Sequence, residues 1–175
     1  MAASAWKRVV LVGFMGSGKS TVGRLLARRL GWVFVDLDEV VEAAAGIKVA
    51  ELFRTRGEAA FRQLEAEAGA AAVARARVVI APGGGWSLVP GRLDDLPEGS
   101  LAVWLRVRPA TAVRRATGKR RVRPLLAGPD PAARARELLK ERDPAYSRAR
   151  LQLDADRASP TSLVDAIVAY MERSE

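Results

Sequence analysis

The chain has 175 residues, a length that suits one domain, and 49% of them are hydrophobic, which is enough for a buried core. It contains neither cysteine nor histidine, so disulfides, thiolate or imidazole metal sites and cysteine or histidine nucleophiles are excluded. The net charge of +9 is typical of nucleic-acid binders, but aromatic residues are only 6% and none are interleaved with basic ones. We therefore expect a small polyanion, and no nucleic acid, as the partner of the basic surface.

The first residues lead into an apolar stretch of only about eight residues, which is too short to cross a bilayer. We expect no membrane partner and a cytoplasmic location. Residues 1–175 contain no repeat and no linker, and we expect one domain that is a monomer.

A glycine loop lies between the first predicted strand, residues 9–12, and the first predicted helix, residues 22–30. Gly13 to Thr21 reads Gly-Phe-Met-Gly-Ser-Gly-Lys-Ser-Thr, which fits the phosphate-binding P-loop pattern in its usual strand, loop and helix context. Glycines let the backbone N–H groups surround phosphate oxygens. Lys19 can reach the β- and γ-phosphates, and the Ser20 hydroxyl can ligate Mg²⁺. The alternative is a glycine-rich turn that binds nothing.

Two acids follow the second predicted strand. Residues 32–35 are continuously apolar, which predicts a strand buried on both faces, and Asp36 and Asp38 leave its carboxyl end, where ligands bind in parallel sheets. If the backbone stays extended, both carboxylates point the same way, so one could serve Mg²⁺ and the other a substrate hydroxyl. Alternatively, Asp38 and Glu39 open the next helix, where the helix dipole favours acids.

An arginine between two acids lies on one face of a longer helix. Short helices are predicted at 39–45 and 49–54, and a longer one follows Gly57 to about residue 74. Glu58, Arg62 and Glu65 share a face of it. An arginine held in this way presents its planar fork to a carboxylate ligand, unless the three residues are an ordinary surface ion-pair ladder.

Three consecutive glycines follow the third predicted strand, residues 78–80. Gly83, Gly84 and Gly85 suit a backbone that must lie against a ligand, although a flexible loop would also contain them. A short helix at 93–96 and a strand at 101–105 come next.

The basic charge is concentrated late in the chain. A helix that starts at Pro109 carries Arg114 and Arg115, and residues 117–131 combine glycines and prolines with a basic cluster. We expect this segment to form a mobile lid that closes over phosphates. A helix at 132–141, a strand at 150–153 and a helix at 161–171 complete an α/β fold of three layers, with a five-stranded parallel sheet flanked by helices.

Taken together, the motifs resemble those of the shikimate kinase family, whose members are P-loop enzymes related to nucleoside monophosphate kinases. The ordered set covers nearly the whole chain: the glycine loop at 13–21, Phe34-x-Asp36-x-Asp38, Gly57-Glu58-x-x-Phe61-Arg62-x-x-Glu65, the glycines at 83–85, Arg123-Pro124-Leu125-Leu126 and Arg142-x-Pro144-x-Tyr146.

The resemblance implies transfer of the γ-phosphoryl group of MgATP to the 3-hydroxyl of shikimate, in aromatic amino-acid biosynthesis. Its implied catalytic residues are Lys19, Asp38 and Arg123. The substrate-binding residues would be Asp38, Phe53, Phe61, Arg62, Gly83, Gly84, Gly85 and Arg142. ATP would contact Gly16, Ser17, Gly18, Lys19, Ser20, Thr21, Arg115, Arg123 and Pro160, and Mg²⁺ would lie near Ser20 and Asp36.

Departures from the family pattern leave some roles open. Residues 116–122 are about one residue longer than usual, so Arg114 is an alternative to Arg115 as the adenine partner. Ala81-Pro82 replaces the small polar pair expected before the glycines. Two other functions remain as alternatives: a related kinase for another acidic or polyhydroxylated metabolite, and a basic P-loop protein that binds a partner or RNA.

Overall fold

The computed structural model describes residues 6–117, 126 and 129–174. Its five strands are β1 (Arg8–Val12), β2 (Val33–Asp36), β3 (Val78–Ala81), β4 (Ser100–Arg106) and β5 (Leu151–Asp154). Its helices are α1 (Lys19–Leu30), α2 (Leu37–Ala45), α3 (Val49–Val73), α4 (Pro109–Thr117), α5 (Pro131–Tyr146) and α6 (Pro160–Arg173), with one 3₁₀ turn at Trp86–Leu88.

The strands form one parallel sheet in the order β2-β3-β1-β4-β5, which confirms the predicted five-stranded architecture. Alternate residues of the central strand serve the two faces of the sheet. Val10 and Val12 pack in a core that includes residues of α4 and α5, whereas Val9 and Leu11 pack in a core that includes residues of α1 and α6. The result is three layers, with one hydrophobic core on each side of the sheet.

The position of β2 differs from the prediction. Val33 is 46% exposed and only Asp36 of this strand is buried, because β2 is an edge strand that pairs with β3 alone. An apolar run therefore predicted the strand correctly and its burial on both faces wrongly.

Several element boundaries also differ. The turn at residues 91–95 replaces the short helix expected at 93–96. The helix expected at 132–141 continues through Pro144 to Tyr146. A break at Gly57 is confirmed, because that residue has φ 78° and ψ 174° inside α3.

The parallel arrangement brings the candidate site together. All five strands end at the same edge, so the glycine loop after β1, Asp36 of β2 and the glycines after β3 lie along one crevice edge. Among the described residues, no helix is long and apolar enough to span a membrane. The expected lid at 117–131 falls mostly outside the described residues.

Candidate active site

The glycine loop has the strand, loop and helix geometry that the sequence predicts. Gly13 and Gly16 have φ values of 142° and 78°, and a Cβ atom at these positions would lie 2.6 Å from the Leu105 carbonyl oxygen and 2.8 Å from that of Ala112. Only glycine allows this backbone path and this close approach. Gly18, at φ 92°, precedes the first turn of α1, so the helix N-terminus faces the loop.

The Lys19 side chain lies across the loop and is held by backbone carbonyl groups of the loop. The Lys19 ammonium donates to the Gly13 carbonyl oxygen at 2.8 Å and to that of Phe14 at 3.1 Å. Ser17 has a buried hydroxyl with no hydrogen-bond partner in the described part of the chain, and Thr21 is exposed in the first turn of α1. The loop therefore places an ammonium group and a helix N-terminus side by side, which favours an anion.

The two residues predicted to serve a metal are in contact. Ser20 Oγ donates to Asp36 Oδ2 at 2.6 Å, and Asp36 is only 7% exposed. A serine hydroxyl and a carboxylate are both oxygen ligands of the kind that Mg²⁺ takes, with further positions supplied by phosphates and water. The described residues contain no cluster of three acidic side chains that could hold a metal alone.

Asp38 does not leave the strand in extended conformation. Asp36 is the N-cap of α2, its Oδ1 accepting from the Asp38 backbone N–H at 3.1 Å, and Asp38 lies in the first helical turn. The expectation of an extended backbone is thus wrong, because the Asp36 side chain satisfies the first amides of a helix that starts at Leu37. Asp38 still faces the glycine segment: a Cβ atom at Gly83 would lie 3.5 Å from Asp38 Oδ1.

The helical face around Arg62 forms as predicted. Arg62 Nη1 donates to Glu65 Oε2 at 2.8 Å, and Nε and Nη2 donate to Glu58 Oε1 at 3.3 and 3.1 Å. Burial opposes the charged form of Arg62, but hydrogen bonding and charge from Glu65 and Glu58 outweigh it and raise its pKa. The guanidinium is therefore charged and held by two carboxylates.

Glu65 makes this group more than a surface ladder. Its side chain is 1% exposed, and its Oε1 is buried without a hydrogen-bond partner in the described ranges. Burial raises the pKa of Glu65, against the opposing effect of Arg62, and the nearby Asp38 charge raises it further. A surface pair would be solvated on both sides, so the Arg62–Glu65 pair is not an ordinary surface pair.

The three glycines make room for charged side chains. A Cβ atom would lie 2.5 Å from Glu65 Oε1 at Gly83, 3.3 Å from Arg142 Nη1 at Gly84, and 2.5 Å from Arg62 Nη2 at Gly85. Each glycine therefore touches a different charged group.

Arg142 approaches the glycines from α5. It is 6% exposed, and its guanidinium carbon lies 5.6 Å from the centre of the Phe14 ring in the glycine loop. Phe53 and Phe61 pack against each other, with ring centres 4.8 Å apart, in a cluster with Val41 and Leu52. The Phe61 ring adjoins Arg62, whose guanidinium carbon lies 5.2 Å from the ring centre.

Arg115 connects the glycine loop with the loop that follows β5. Its guanidinium donates to the Gly16 carbonyl oxygen at 3.3 Å and to that of Ala155 at 3.0 Å. Pro160 is the exposed first residue of α6, behind the capping residue Ser159. Arg114 is exposed on the same helix, and Arg123 lies outside the described residues.

Tyr146 belongs to one of the family motifs, but the sequence assigns it no role. Its hydroxyl donates to the Gly84 carbonyl oxygen at 2.5 Å, and its side chain is fully buried. The available signal was its spacing: Tyr146 is four residues after Arg142, which puts both on one helical face once α5 is known to continue that far.

The chain matches known proteins over nearly its whole length. The family model for shikimate kinase matches residues 15–172. The chain belongs to the shikimate kinase family. A shikimate kinase of Moorella thermoacetica is 46% identical over 168 residues, covering 94% of this chain and 96% of that protein.

Solved structures of the same family share the fold. A shikimate kinase from Acinetobacter baumannii in complex with shikimate superposes with a TM-score of 0.90 at 31% identity, covering 98% of this chain and 96% of that one. A gluconokinase from Sinorhizobium meliloti, with a TM-score of 0.65 at 20% identity, covers 98% of this chain and 94% of that one; it shares the fold alone.

Proposed function

We propose that this chain transfers the γ-phosphoryl group of MgATP to the 3-hydroxyl of shikimate, giving shikimate 3-phosphate and ADP. The observation that carries the proposal is the set of contacts around one turn of glycines. Asp38, Arg62 and Arg142, which family resemblance links to the substrate, all lie against residues 83–85. A carboxylate for hydroxyl groups and two guanidinium groups for a carboxylate match the functional groups of shikimate.

On the substrate side, Arg62 and Arg142 would bind the carboxylate and Asp38 would bind the ring hydroxyls. Phe53 and Phe61 would form an apolar wall. The Asp38 carboxylate would orient the hydroxyl that attacks, and it is the group that we assign to accept the proton. Holding the reacting oxygen in place supplies much of the rate enhancement, since phosphoryl transfer requires little covalent chemistry of the protein.

On the nucleotide side, the loop at 16–21 would hold the phosphates, and ATP is the co-substrate of the family. Lys19 and Arg123 would neutralise charge that shifts among the phosphate oxygens. Arg115 and Pro160 would contact the two faces of adenine. The bonds from Arg115 to Gly16 and Ala155 support it over the exposed Arg114 in this role.

Magnesium fits the pair formed by Ser20 and Asp36. Both groups offer oxygen atoms, and their contact at 2.6 Å holds the serine hydroxyl beside a buried carboxylate. Ser20 would ligate the ion, and Asp36 would orient its water shell. When bound, Mg²⁺ supplies charge neutralisation at the β- and γ-phosphates.

A coupled ADP-release assay tests the function directly. The enzyme is offered ATP and magnesium with shikimate, gluconate, nucleoside monophosphates or RNA in parallel. Of the four candidate acceptors, we expect only shikimate to cause ADP release, and we expect this release to stop when EDTA removes the magnesium. NMR should show that the product is phosphorylated at the 3-position. Faster release with gluconate or a nucleoside monophosphate would overturn the assignment in favour of another small-molecule kinase.

A further inference from the structure

Tyr146 lies against the run of glycines that both arginines of the proposed substrate pocket approach. The Tyr146 hydroxyl donates to the Gly84 carbonyl oxygen at 2.5 Å. The Arg142 guanidinium lies close to the same phenol, since a Cβ atom at Gly84 would be 3.3 Å from Arg142 Nη1 and 3.4 Å from the Tyr146 hydroxyl oxygen. A group with one donor and two acceptor lone pairs can serve both neighbours at once.

The bond to Gly84 fixes more than one atom. In a planar trans peptide, the carbonyl of Gly84 and the N–H of Gly85 point in opposite directions. Anchoring the Gly84 oxygen on Tyr146 therefore sets the orientation of the peptide that leads into Gly85. The Gly85 backbone lies directly against the Arg62 guanidinium, since a Cβ atom there would be 2.5 Å from Nη2.

Tyr146 is itself rigidly held. It is completely buried, and its ring centre lies 5.8 Å from that of Trp104, at an angle of 40°. Burial raises the pKa of Tyr146 to about 12, against the opposing charges of Arg142 and Arg62. Burial thus favours the protonated hydroxyl, which is the form that donates.

We propose that Tyr146 is a positioning residue for shikimate binding, which acts through Gly84 and Arg142 to hold the two guanidinium groups in the geometry that accepts a carboxylate. This inference rests on the proposed function, because it assumes that Arg62 and Arg142 bind the substrate carboxylate. The Tyr146 hydroxyl donates to Gly84 and not to the loop at 16–21, so we expect a larger effect on shikimate binding than on ATP binding.

The test is Tyr146→Phe, which removes only the hydroxyl. It leaves the partly buried Gly84 carbonyl without this donor, and losing one partner of a hydrogen bond costs more than removing both. The KM for shikimate should rise by about tenfold or more, while the KM for ATP stays within about twofold. Tyr170→Phe is the matched control: it removes the hydroxyl that accepts from Arg150 on the exposed surface and should change neither constant.

A substrate analogue separates positioning from packing. The methyl ester of shikimate lacks the carboxylate, so Tyr146→Phe should change the KM of the ester little while it raises the KM of shikimate. The KM of the ester divided by the KM of shikimate should therefore be lower in the variant than in the wild type. Equal weakening of acid and ester, or equal increases in the KM of shikimate and ATP, would overturn the proposal and indicate a purely structural role.

KM does not depend on the concentration of active enzyme. A partly folded variant therefore still shows whether the KM of shikimate changes more than the KM of ATP. If circular dichroism shows Tyr146→Phe to be unfolded, 3-fluorotyrosine can be incorporated in the Tyr170→Phe background, where only position 146 carries the label. A more acidic hydroxyl should then change the KM of shikimate alone. An unchanged KM for shikimate would overturn the proposal, whereas a wild-type enzyme without shikimate turnover would instead refute the proposed function.

Discussion

Replacing Arg62 by lysine tests whether the planar fork, rather than the charge alone, binds the substrate. In the structure the fork contacts two carboxylates, Glu65 at 2.8 Å and Glu58 at 3.1 Å. Lysine keeps the positive charge, but its single ammonium cannot donate in both directions and also present two parallel N–H groups to a ligand.

The magnitude follows from what is lost. The Arg62 side chain is 31% exposed and Glu65 is 1% exposed, so the site is partly screened and lies between the surface and buried limits. Losing one charge-assisted hydrogen bond to the substrate carboxylate then weakens shikimate binding by about 1.4 kcal/mol or more, which is about tenfold.

Isothermal titration calorimetry with shikimate and, separately, with a non-hydrolysable ATP analogue measures both affinities. We expect a shikimate Kd at least about tenfold higher and an unchanged nucleotide Kd. Arg54→Lys is the matched control on the same helix, since Arg54 is also ion-paired, to Glu51, but is exposed. If Arg62→Lys leaves both affinities as they are, Arg62 does not bind the substrate carboxylate and the substrate assignment loses a main support.

Three further predictions follow from the same contacts. Lys19→Met should keep the wild-type circular dichroism spectrum and lose more than about a hundredfold in turnover, because in the proposed reaction the lost charge would face the transferred phosphate. Wild-type turnover would refute the P-loop assignment. Burial raises the pKa of Glu65 above its ordinary 4.5, so the folded state binds this proton more tightly than the unfolded state does. The stability that this group contributes therefore falls as pH rises through about 4.5 towards the pKa of the folded state. Thermal melts should therefore show wild type losing stability relative to Glu65→Gln across that window, and parallel curves would contradict the shift. Gly85→Ala should fold, since φ there is −96°, yet raise the KM of shikimate severalfold by displacing Arg62; an unchanged KM would show that the guanidinium moves away at little cost.

Local features of the site were predictable from the sequence. The glycine loop is defined by consecutive residues. Glu58, Arg62 and Glu65 share a face because helical geometry puts positions i, i+4 and i+7 together. These predictions needed no knowledge of distant contacts. The bonds from Arg62 to both acids confirm the helical face.

Features that depend on strand order were not predictable in the same way. The apolar run in β2 reads like a central strand, but the order of strands makes it an edge. The conformation of Asp38 depended on whether the Asp36 side chain caps a helix, and two acids spaced by two fit either answer. The burial of Glu65 depends on Gly83, which is 18 positions away and reaches it only through the fold.

The glycines at 83–85 show why the remainder of the site required three dimensions. A run of glycines indicates a close approach of the backbone to something, and a ligand was one interpretation. In the structure the close neighbours are Glu65, Arg142 and Arg62, so the missing side chains make room first for the protein's own charged groups. Any single side chain at these positions would displace one arginine or the buried acid, and a pocket for a carboxylate needs both arginines in place. In the proposed function, the glycines would therefore serve substrate binding by leaving room for both arginines.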